Sequence, residues 1–197
     1  MLLHEKLNTK RLILASGSPR RRELMMQADL KFDVAPHYFV DESFPSSIKP
    51  HDVPSFLSEL KSKGYPLDIK ENEILITADT VVIENNEIIG KPASRDAAIK
   101  ILEKLSGKKH EVLSAVTLRT IDGMHTFTVS TDVYFRELSQ EEIIYYIDKY
   151  HPMDKAGAYG IQEWIGCTAV KKISGSFYNV MGLPIQVLYT ELNKFIK

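Results

Sequence analysis

The sequence predicts an α/β protein with a mixed central β-sheet flanked by helices. Helix-like and strand-like segments interleave along the 197 residues, which is typical of sheets covered by helices. In the middle of the chain, two long strand-like segments flank an Asp122-Gly123 turn, and this predicts antiparallel neighbours in the sheet. No repeat, linker or low-complexity segment marks a boundary, so residues 1–197 are expected to form a single domain.

The N-terminal part is predicted to alternate strands with helices. Arg11–Ala15 is a short apolar run of the kind that forms a buried strand. A small-residue turn ends this strand, with Ser18 as the N-cap and Pro19 as the first residue of a helix that extends to about Ala28. The next expected elements are a strand at Phe32–Ala35, a loop from Pro36 to Pro54 and a helix at Ser55–Lys63.

The remaining elements follow from composition and capping signals. β-branched residues predict strands at Ile74–Thr77 and Val81–Ile89, the second folded at an Asn85-Asn86 hairpin turn. The other expected elements are a helix capped by Ser94, strands near Glu111–Thr120 and Met124–Arg136, a helix opened by a capping box at Ser139–Glu142, a strand at Ala169–Ile173 and a final helix opened by Pro184.

Composition and charge restrict the possible partners. The formal net charge is −1, so no global field favours nucleic acid or an anionic membrane, and phosphate binding requires a local basic cluster. The single cysteine, Cys167, excludes an intramolecular disulfide and a cysteine-based zinc site. No apolar run approaches the ~20 residues that span a bilayer. We therefore expect a cytoplasmic protein that binds neither nucleic acid nor membrane.

The first candidate site is Ser16–Arg22, between a strand and a helix start. Free backbone N–H groups and the helix dipole attract anions there, and guanidinium groups add bidentate donors for phosphate. The pattern is neither a Walker A loop nor a dinucleotide fingerprint. An ordinary capped helix with solvated arginines is the alternative.

The second candidate is Asp79, which lies in an otherwise apolar, β-branched stretch. A carboxylate at such a place must be paired, metal-bound or functional, because burying an unpaired charge is costly. It could activate water or hold a divalent ion. The alternative is a turn aspartate that binds nearby backbone amides.

Two further segments carry polar groups among small residues. Lys91 follows the predicted hairpin, and Lys155 and Gln162 lie in a glycine-containing segment that permits close approach of a ligand. The lysines suit phosphate, and the Gln162 amide offers a donor and an acceptor to a base edge. Solvated lysines and an ordinary loop are the alternative. The chain has no signature of a nucleophilic triad, so this inventory suits water attacking a metal-bound phosphate.

Taken in order, these segments resemble the Maf family of nucleotide pyrophosphatases. The likeness covers essentially the whole chain, and the ordered set of motifs is far more specific than any single motif. The matching segments are Leu14–Arg21, Ala78–Val82, Gly90–Pro92, Leu105–Gly107, Asp154–Gln162 and Gly182–Pro184.

The resemblance implies a fold, a cofactor and roles for individual residues. The fold would be elongated and similar to that of the inosine-triphosphate pyrophosphatases, with two lobes and a cleft between them. The family implies dependence on Mg²⁺ or Mn²⁺ and often a homodimer. By family motif, Asp79 would be the general base and, with Glu42, would hold the metal. The residues implied to contact phosphate are Ser16, Arg20, Arg21, Lys61, Lys91 and Lys155.

Three positions indicate the substrate. One subgroup resembles dTTP/UTP hydrolases and carries Arg, Thr and Gln where this chain has Arg20, Thr80 and Gln162. The resemblance therefore implies hydrolysis of a pyrimidine triphosphate to the monophosphate and pyrophosphate. Two alternatives stay open: a hydrolase of modified pyrimidine nucleotides, and a nucleotide-binding regulator of cell division. The chain departs from the family pattern at Thr77, at Ser62 and at the Glu163-Trp164 pair.

Overall fold

The computed structural model describes residues 2–196 and confirms a mixed seven-stranded sheet flanked by helices. The strands are β1 (Arg11–Leu14), β2 (Phe32–Val34), β3 (Glu73–Glu84), β4 (Glu87–Ile89), β5 (Lys109–Thr120), β6 (Gly123–Phe135) and β7 (Val170–Ser174). The α-helices are α1 (Leu3–Lys6), α2 (Pro19–Gln27), α3 (Val53–Lys63), α4 (Arg95–Leu105), α5 (Gln140–Tyr150), α6 (Trp164–Ala169), α7 (Phe177–Met181) and α8 (Ile185–Phe195).

The strand order combines parallel and antiparallel pairs. The order is β2-β1-β3-β5-β6-β7, and β4 pairs with β3. β1 runs parallel to β2 and β3, whereas β4 runs antiparallel to β3 and β7 antiparallel to β6. Parallel neighbours need a crossover connection, and α2 and α3 lie in the two connections that join these parallel strands.

The described chain divides into two compact units, each built from separate segments. The first contains residues 2–79, 114–129 and 182–196, and the second contains residues 80–113 and 130–181. The division falls within β3, between Asp79 and Thr80. Asp79 and Thr80, which are neighbours in β3, therefore belong to different units.

The core of the first unit is formed by β1 and the first half of β3. Leu12, Leu14 and the run Ile74–Ile76 are almost completely buried. A neighbouring cluster combines Ile13 and Leu75 with Tyr65 and adjoining apolar side chains. Their sequences are almost continuously apolar because both faces of these strands are covered.

The second unit has its core between α4 and α5, which pack against each other. Ala98, Leu102 and Leu105 supply the buried face of α4, and Ile143 and Tyr146 lie buried on α5. The spacing of these residues matches one helical face, as the sequence predicts for α4.

The predicted turns and caps of this unit are also present. Asn85 and Asn86 have φ of 49° and 62°, the left-handed pair that a two-residue type I′ hairpin requires. The Ser94 hydroxyl accepts a hydrogen bond from Ala97 N and caps α4. The turn and the cap are made by residues close in sequence, which is why local signals predict them.

Three predictions about the elements need correction. The strands expected on either side of residues 78–80 form one continuous strand, β3, because the Asp79 carboxylate is compensated by a partner from outside the strand. Helix α3 begins at Val53, after a 3₁₀ turn at Pro50–Asp52, two residues earlier than expected. The short helices α1, α6 and α7 were missed, because four to six residues carry too little periodicity to indicate a helix.

None of the helices within residues 2–196 combines the length and the apolar character that crossing a membrane requires.

Helix α5 begins with the predicted capping box. The Ser139 hydroxyl accepts from Glu142 N, and Glu142 Oε2 accepts from Ser139 N at 2.9 Å. Arg136 adds a two-pronged contact, with Nη1 2.9 Å from Oε2 and Nη2 2.7 Å from Oε1 of Glu142. The Arg136 bonds, followed by the Ser139 backbone bond, lower the pKa of Glu142 to about 2.

This pKa predicts a pH-dependent contribution of Glu142 to stability. Because the folded pKa lies below the ordinary value of 4.5, the contribution is present above pH 4.5 and is lost as the pH falls towards 2. Glutamine keeps an oxygen that can accept from Ser139 N, so Glu142→Gln retains the cap but removes the charge and one of the two Arg136 contacts. We expect Glu142→Gln to lower the free energy of unfolding by about 1 kcal/mol at pH 7 and by less near pH 3.

Urea unfolding of the two proteins at both pH values measures this difference. Ser94→Ala is the control, since it removes a cap of about 1 kcal/mol from α4 and leaves the capping box of α5 intact. A loss from Glu142→Gln that is equal at pH 7 and pH 3 would contradict the prediction.

Candidate functional site

Asp79 is one end of a short chain of ion pairs in the first unit. It lies within β3 and is 7% exposed, so the alternative of a turn aspartate is wrong. Lys61 Nζ, from α3, donates to Asp79 Oδ1 at 2.7 Å and lies 3.1 Å from Glu42 Oε2. Two carboxylates therefore converge on one ammonium group.

The register between α3 and β3 explains why Lys61 reaches Asp79. The Ser58 hydroxyl donates to Thr77 O, and the Thr77 hydroxyl donates to Ser58 O at 2.8 Å. Lys61 lies one helical turn beyond Ser58, and Asp79 lies two strand residues beyond Thr77, on the same face of each element. The reciprocal bonds thus place the ammonium beside the carboxylate.

The loop before α3 presents Glu42 to the same lysine. Tyr38 Oη donates to Lys61 O at 2.9 Å. Val40 packs against Gly64, where an added Cβ would lie 2.7 Å from Val40 Cγ2, so only glycine fits without a shift. These two contacts anchor the loop to the C-terminal end of α3. Glu42 is consequently held near Asp79 although it has no regular secondary structure.

Burial controls the ionisation of Asp79. Removal from water raises the pKa of Asp79 above its ordinary value, and the nearby Glu42 charge adds to that rise. Lys61 and Arg21 act in the opposite direction and favour the carboxylate. A carboxylate with a raised pKa is a better proton acceptor, which is what a general base needs.

Ser16 and Arg21 connect the Ser16–Pro19 turn to the strand that carries Asp79. Arg21 Nε donates to Gly182 O at 2.8 Å, and Arg21 Nη1 donates to Ala78 O at 2.8 Å and to the Ser16 hydroxyl at 3.2 Å. The carbonyl of Ala78 precedes Asp79 directly, so Arg21 fixes the backbone beside the carboxylate. Phosphate binding by Ser16 and Arg21 stays a prediction.

The start of α2 differs in one detail from the expected cap. Ser18 occupies the N-cap position and Pro19 the first helical position, but the Ser18 side chain makes no capping hydrogen bond. The Ser16 hydroxyl instead accepts from Ser18 N at 3.2 Å. Arg20 is partly exposed in the first turn of α2, where cationic side chains and free backbone donors favour an anion.

The second unit holds the other predicted site residues. Lys155 is 9% exposed, and its Nζ lies 2.8 Å from Asp154 Oδ1 and 3.2 Å from Glu163 Oε1. Gly157 N donates to Gly90 O at 3.2 Å, which ties the Lys155 segment to the turn that carries Lys91. Lys91 and Gln162 are exposed, and Thr80 is partly exposed.

The predicted residues therefore fall into two groups. The first unit contains Ser16, Arg20, Arg21, Glu42, Lys61 and Asp79, and the second contains Thr80, Lys91, Lys155 and Gln162. Tyr146 and Glu163 also contact the second group, and sequence reasoning assigned neither a role. The one signal in the sequence was the departure from the family pattern at Glu163.

The carboxylates fit a metal that arrives with an anionic ligand. Within residues 2–196 no group of three or more His, Cys, Asp and Glu side chains could hold a metal ion. Glu42 and Asp79 nevertheless converge on a single cationic atom, Lys61 Nζ. Mg²⁺ is commonly bound by one or two carboxylates together with phosphate oxygens and water. Two carboxylates therefore suit an ion that brings phosphate and water ligands with it, and do not suit an ion held by protein groups alone.

Known proteins of one family resemble this chain along almost its whole length. A family model described as Maf-like protein matches residues 11–195. A dTTP/UTP pyrophosphatase of Bacteroides thetaiotaomicron is 50% identical over 188 residues, covering 95% of this chain and 97% of that protein. A protein of the same name from Phocaeicola vulgatus is 47% identical over 190 residues, covering 96% and 98%.

Similarity to solved structures is weaker. A HAM1 protein from Coxiella burnetii shares 14% identity with a TM-score of 0.48, covering 94% of this chain and 99% of that chain. A nucleoside-triphosphatase (dITP/XTP pyrophosphatase) from Mycobacterium abscessus shares 14% identity with a TM-score of 0.38, covering 65% and 75%. These scores are too low to bear on the fold or activity of this chain.

The ion pair predicts how stability responds to loss of Lys61. In Lys61→Met, Asp79 loses the ammonium that favours its charged form, so its pKa rises further above the unfolded value. Stability then falls as the pH rises from the unfolded pKa through the folded one. We expect a loss in the free energy of unfolding of up to about 3 kcal/mol at pH 8 and a smaller loss at pH 5.

Denaturant unfolding at the two pH values checks this expectation. Lys63→Met is the matched control, because Lys63 is exposed on the same helix and pairs with Glu59 at its surface. Its loss should be small and equal at both pH values. A pH-independent loss in Lys61→Met would show that Lys61 does not control the ionisation of Asp79.

Proposed function

The chain belongs to the Maf family, and from this premise we infer that it hydrolyses dTTP or UTP to the monophosphate and pyrophosphate. The observation that carries the proposal is the buried Asp79 carboxylate, whose pKa is raised and whose position is held by Lys61. Relatives named dTTP/UTP pyrophosphatase support the choice of substrate.

In the proposed reaction, Asp79 accepts a proton from a water molecule as the water oxygen attacks the α-phosphorus. A new bond forms between that oxygen and the α-phosphorus. The bond from the α-phosphorus to the oxygen bridging to the β-phosphorus breaks, and pyrophosphate leaves with that bond's electron pair. The raised pKa of Asp79 favours this proton transfer, and its anchoring within β3 fixes the base before substrate arrives.

Basic side chains are proposed to balance the charge of the triphosphate. In the first unit, Arg20 lies at the start of α2, where the helix dipole also favours phosphate. Arg21 and Ser16 shape the same turn, and Lys61 is the ammonium nearest to the base. In the second unit, Lys91 and Lys155 are proposed for the same task.

A divalent cation, Mg²⁺ or Mn²⁺, is proposed as the cofactor, with Glu42 and Asp79 as the protein residues that would hold it. When bound, it would supply positive charge that stabilises the leaving pyrophosphate. The chain's own contribution is to keep both carboxylates directed at one point through the anchored loop and β3.

Selectivity for pyrimidines is assigned to Arg20, Thr80 and Gln162, the residue types of the dTTP/UTP subgroup. Gln162 is exposed at a turn and can both donate to and accept from a base edge. We further propose that the protein acts in the cytoplasm, which its single cysteine suits, and that it forms a homodimer as family members often do.

The base assignment predicts loss of turnover in Asp79→Asn. Asparagine preserves the shape of the side chain but cannot take the proton. We expect kcat for dTTP and UTP to fall by about 10²–10⁴-fold, the range found for removal of a general base. The measurement is pyrophosphate release with Mg²⁺ or Mn²⁺ across dTTP, UTP, CTP, GTP, ATP, 7-methyl-GTP and methylated pyrimidine triphosphates.

Thermal unfolding of Asp79→Asn controls for loss of the fold. Near-normal turnover in this variant would exclude Asp79 as the base. If the wild-type protein prefers methylated pyrimidines, a hydrolase of modified nucleotides becomes the better description. Nucleotide binding without turnover would favour the regulatory role.

The proposed metal role of Glu42 can be separated from that of its acidic neighbour. Asp41 accepts hydrogen bonds from the Ser43 backbone and hydroxyl at 3.0 Å, whereas Glu42 faces Lys61. Glu42→Gln should therefore raise the Mg²⁺ concentration needed for half-maximal rate by about tenfold or more, since loss of even an outer-shell partner of a metal ligand commonly costs 10–100-fold in affinity.

Asp41→Asn is the matched control and should keep the wild-type Mg²⁺ dependence. Both proteins are first treated with a chelator, which should abolish activity until Mg²⁺ or Mn²⁺ is returned. Equal Mg²⁺ requirements in the two variants would remove Glu42 from the metal site.

A further inference from the structure

Gln162 lies in a tight turn whose geometry is controlled by the residues around it. Glu163 N donates to Gly160 O at 3.0 Å, which closes a four-residue turn with Gln162 in its third position. The Gln162 side chain is exposed, and helix α6 begins at Trp164. The direction of the Gln162 amide therefore depends on how rigidly the backbone of this turn is held.

A buried tyrosine fastens both ends of the turn. Tyr146, on α5, has no exposed surface, and its hydroxyl accepts from Gly160 N at 2.9 Å. The same hydroxyl donates to Glu163 Oε2. Burial, reinforced by the bond to Glu163, raises the pKa of Tyr146 well above its ordinary value, so the hydroxyl keeps its proton.

Glu163 connects the turn to the phosphate-site lysine. Its Oε1 lies 3.2 Å from Lys155 Nζ, and Lys155 also contacts Asp154 at 2.8 Å. Glu163 occupies the N-cap position of α6, yet its side chain makes no capping hydrogen bond there. Its carboxylate is directed instead to Tyr146 and Lys155, so one group holds both the turn and the lysine.

Gly160 provides the space that this arrangement needs. A Cβ added to Gly160 would lie 2.8 Å from Glu163 Cδ and 3.0 Å from each carboxylate oxygen. Any larger residue would displace the carboxylate, which is the flexible end of the Glu163 side chain. The glycine and the glutamate therefore fit each other, although the glutamate departs from the family pattern.

We propose that Tyr146 and Glu163 are positioning residues that fix the Gly160–Glu163 turn, so that Gln162 can discriminate the nucleobase while Lys155 is held for phosphate. This inference rests on the proposed function, because it assumes that Gln162 contacts the base. Neither residue needs to touch substrate. Each acts through the hydrogen bonds that hold the turn.

The test compares base selectivity in three variants and a matched control. Tyr146→Phe removes the hydroxyl that joins Gly160 to Glu163, and Glu163→Ala removes the carboxylate. Glu163→Gln keeps an oxygen that can accept from Tyr146 and should rescue selectivity. Tyr145→Phe is the control. Tyr145 lies on the same helix, and its hydroxyl accepts a hydrogen bond from Lys149 of that helix instead of contacting the turn.

Two readouts separate selectivity from overall activity. The first is the ratio of kcat/KM for UTP to that for GTP. The second is the ratio of the dissociation constants of UMP and GMP from calorimetry, which needs no turnover. In Tyr146→Phe and Glu163→Ala we expect both ratios to shift towards the purine by about tenfold, the factor for one lost hydrogen bond of about 1.4 kcal/mol. Glu163→Gln and Tyr145→Phe should stay near the wild-type ratios.

Each possible result supports or overturns the positioning role of Tyr146 and Glu163. A uniform fall in rate for every nucleotide, with the ratios unchanged and a lower Tm, would show that the network only stabilises the fold and would overturn it. If the wild-type protein binds UMP selectively without turnover, the proposed reaction fails, but the binding ratios of the variants still support or overturn the positioning role. A wild-type protein that binds neither nucleotide overturns both.

Discussion

A buried carboxylate in the middle of a strand is the constraint that organises the first unit. Asp79 can stay inside β3 only if its charge is compensated, because an unpaired buried charge is costly. Lys61 supplies the compensation, and it reaches Asp79 because the Ser58 and Thr77 bonds hold α3 in register with β3. The position of α3 therefore determines whether the charge of Asp79 in β3 is compensated.

The carboxylates of Glu142 and Asp79 show how the environment of a side chain determines its pKa. Glu142 is partly exposed and held by the Arg136 guanidinium, which lowers its pKa to about 2, so it is an anion at neutral pH, where it caps the start of α5. Asp79 is buried, and desolvation outweighs the Lys61 and Arg21 charges, so its pKa is raised. Of the two environments, only the one that raises the pKa favours uptake of a proton by the carboxylate.

The sequence predicts those features that depend on neighbouring residues. The Ser94 cap, the capping box of α5 and the Asn85-Asn86 turn have local signals, and the structure confirms each of them. Local signals also show that Asp79 needs a partner, but they do not identify it. Lys61 lies 18 residues upstream on another element, so the pairing follows only from tertiary packing.

Arg21 also shows that the sequence does not identify the partners of a side chain. Its place in a basic turn predicts a phosphate contact, whereas the structure shows bonds to the carbonyls of Ala78 and Gly182, which are remote in sequence. A guanidinium group has five donors, and sequence alone does not tell which of them serve the protein and which a ligand. The network around Tyr146 escaped prediction for the same reason, since its members come from α5 and the segment before α6.

The departures from the family pattern change the framework and leave the proposed chemistry in place. Thr77 stands where glycine is frequent, and its hydroxyl is satisfied by the Ser58 carbonyl, so the added side chain strengthens the contact that aligns Lys61 with Asp79. Glu163 is likewise satisfied by Tyr146 and Lys155. A polar residue added near a site is tolerated when the surrounding structure supplies its hydrogen bonds, because an unsatisfied buried group would cost more than the bond contributes. Thr77 and Glu163 meet this condition; Thr77 lies two residues before Asp79, and Glu163 directly follows Gln162. The third departure, Ser62, does not meet it, because its hydroxyl is buried and has no hydrogen-bond partner among the described residues. Variation in this chain has therefore altered how the site residues are held while keeping the residues themselves.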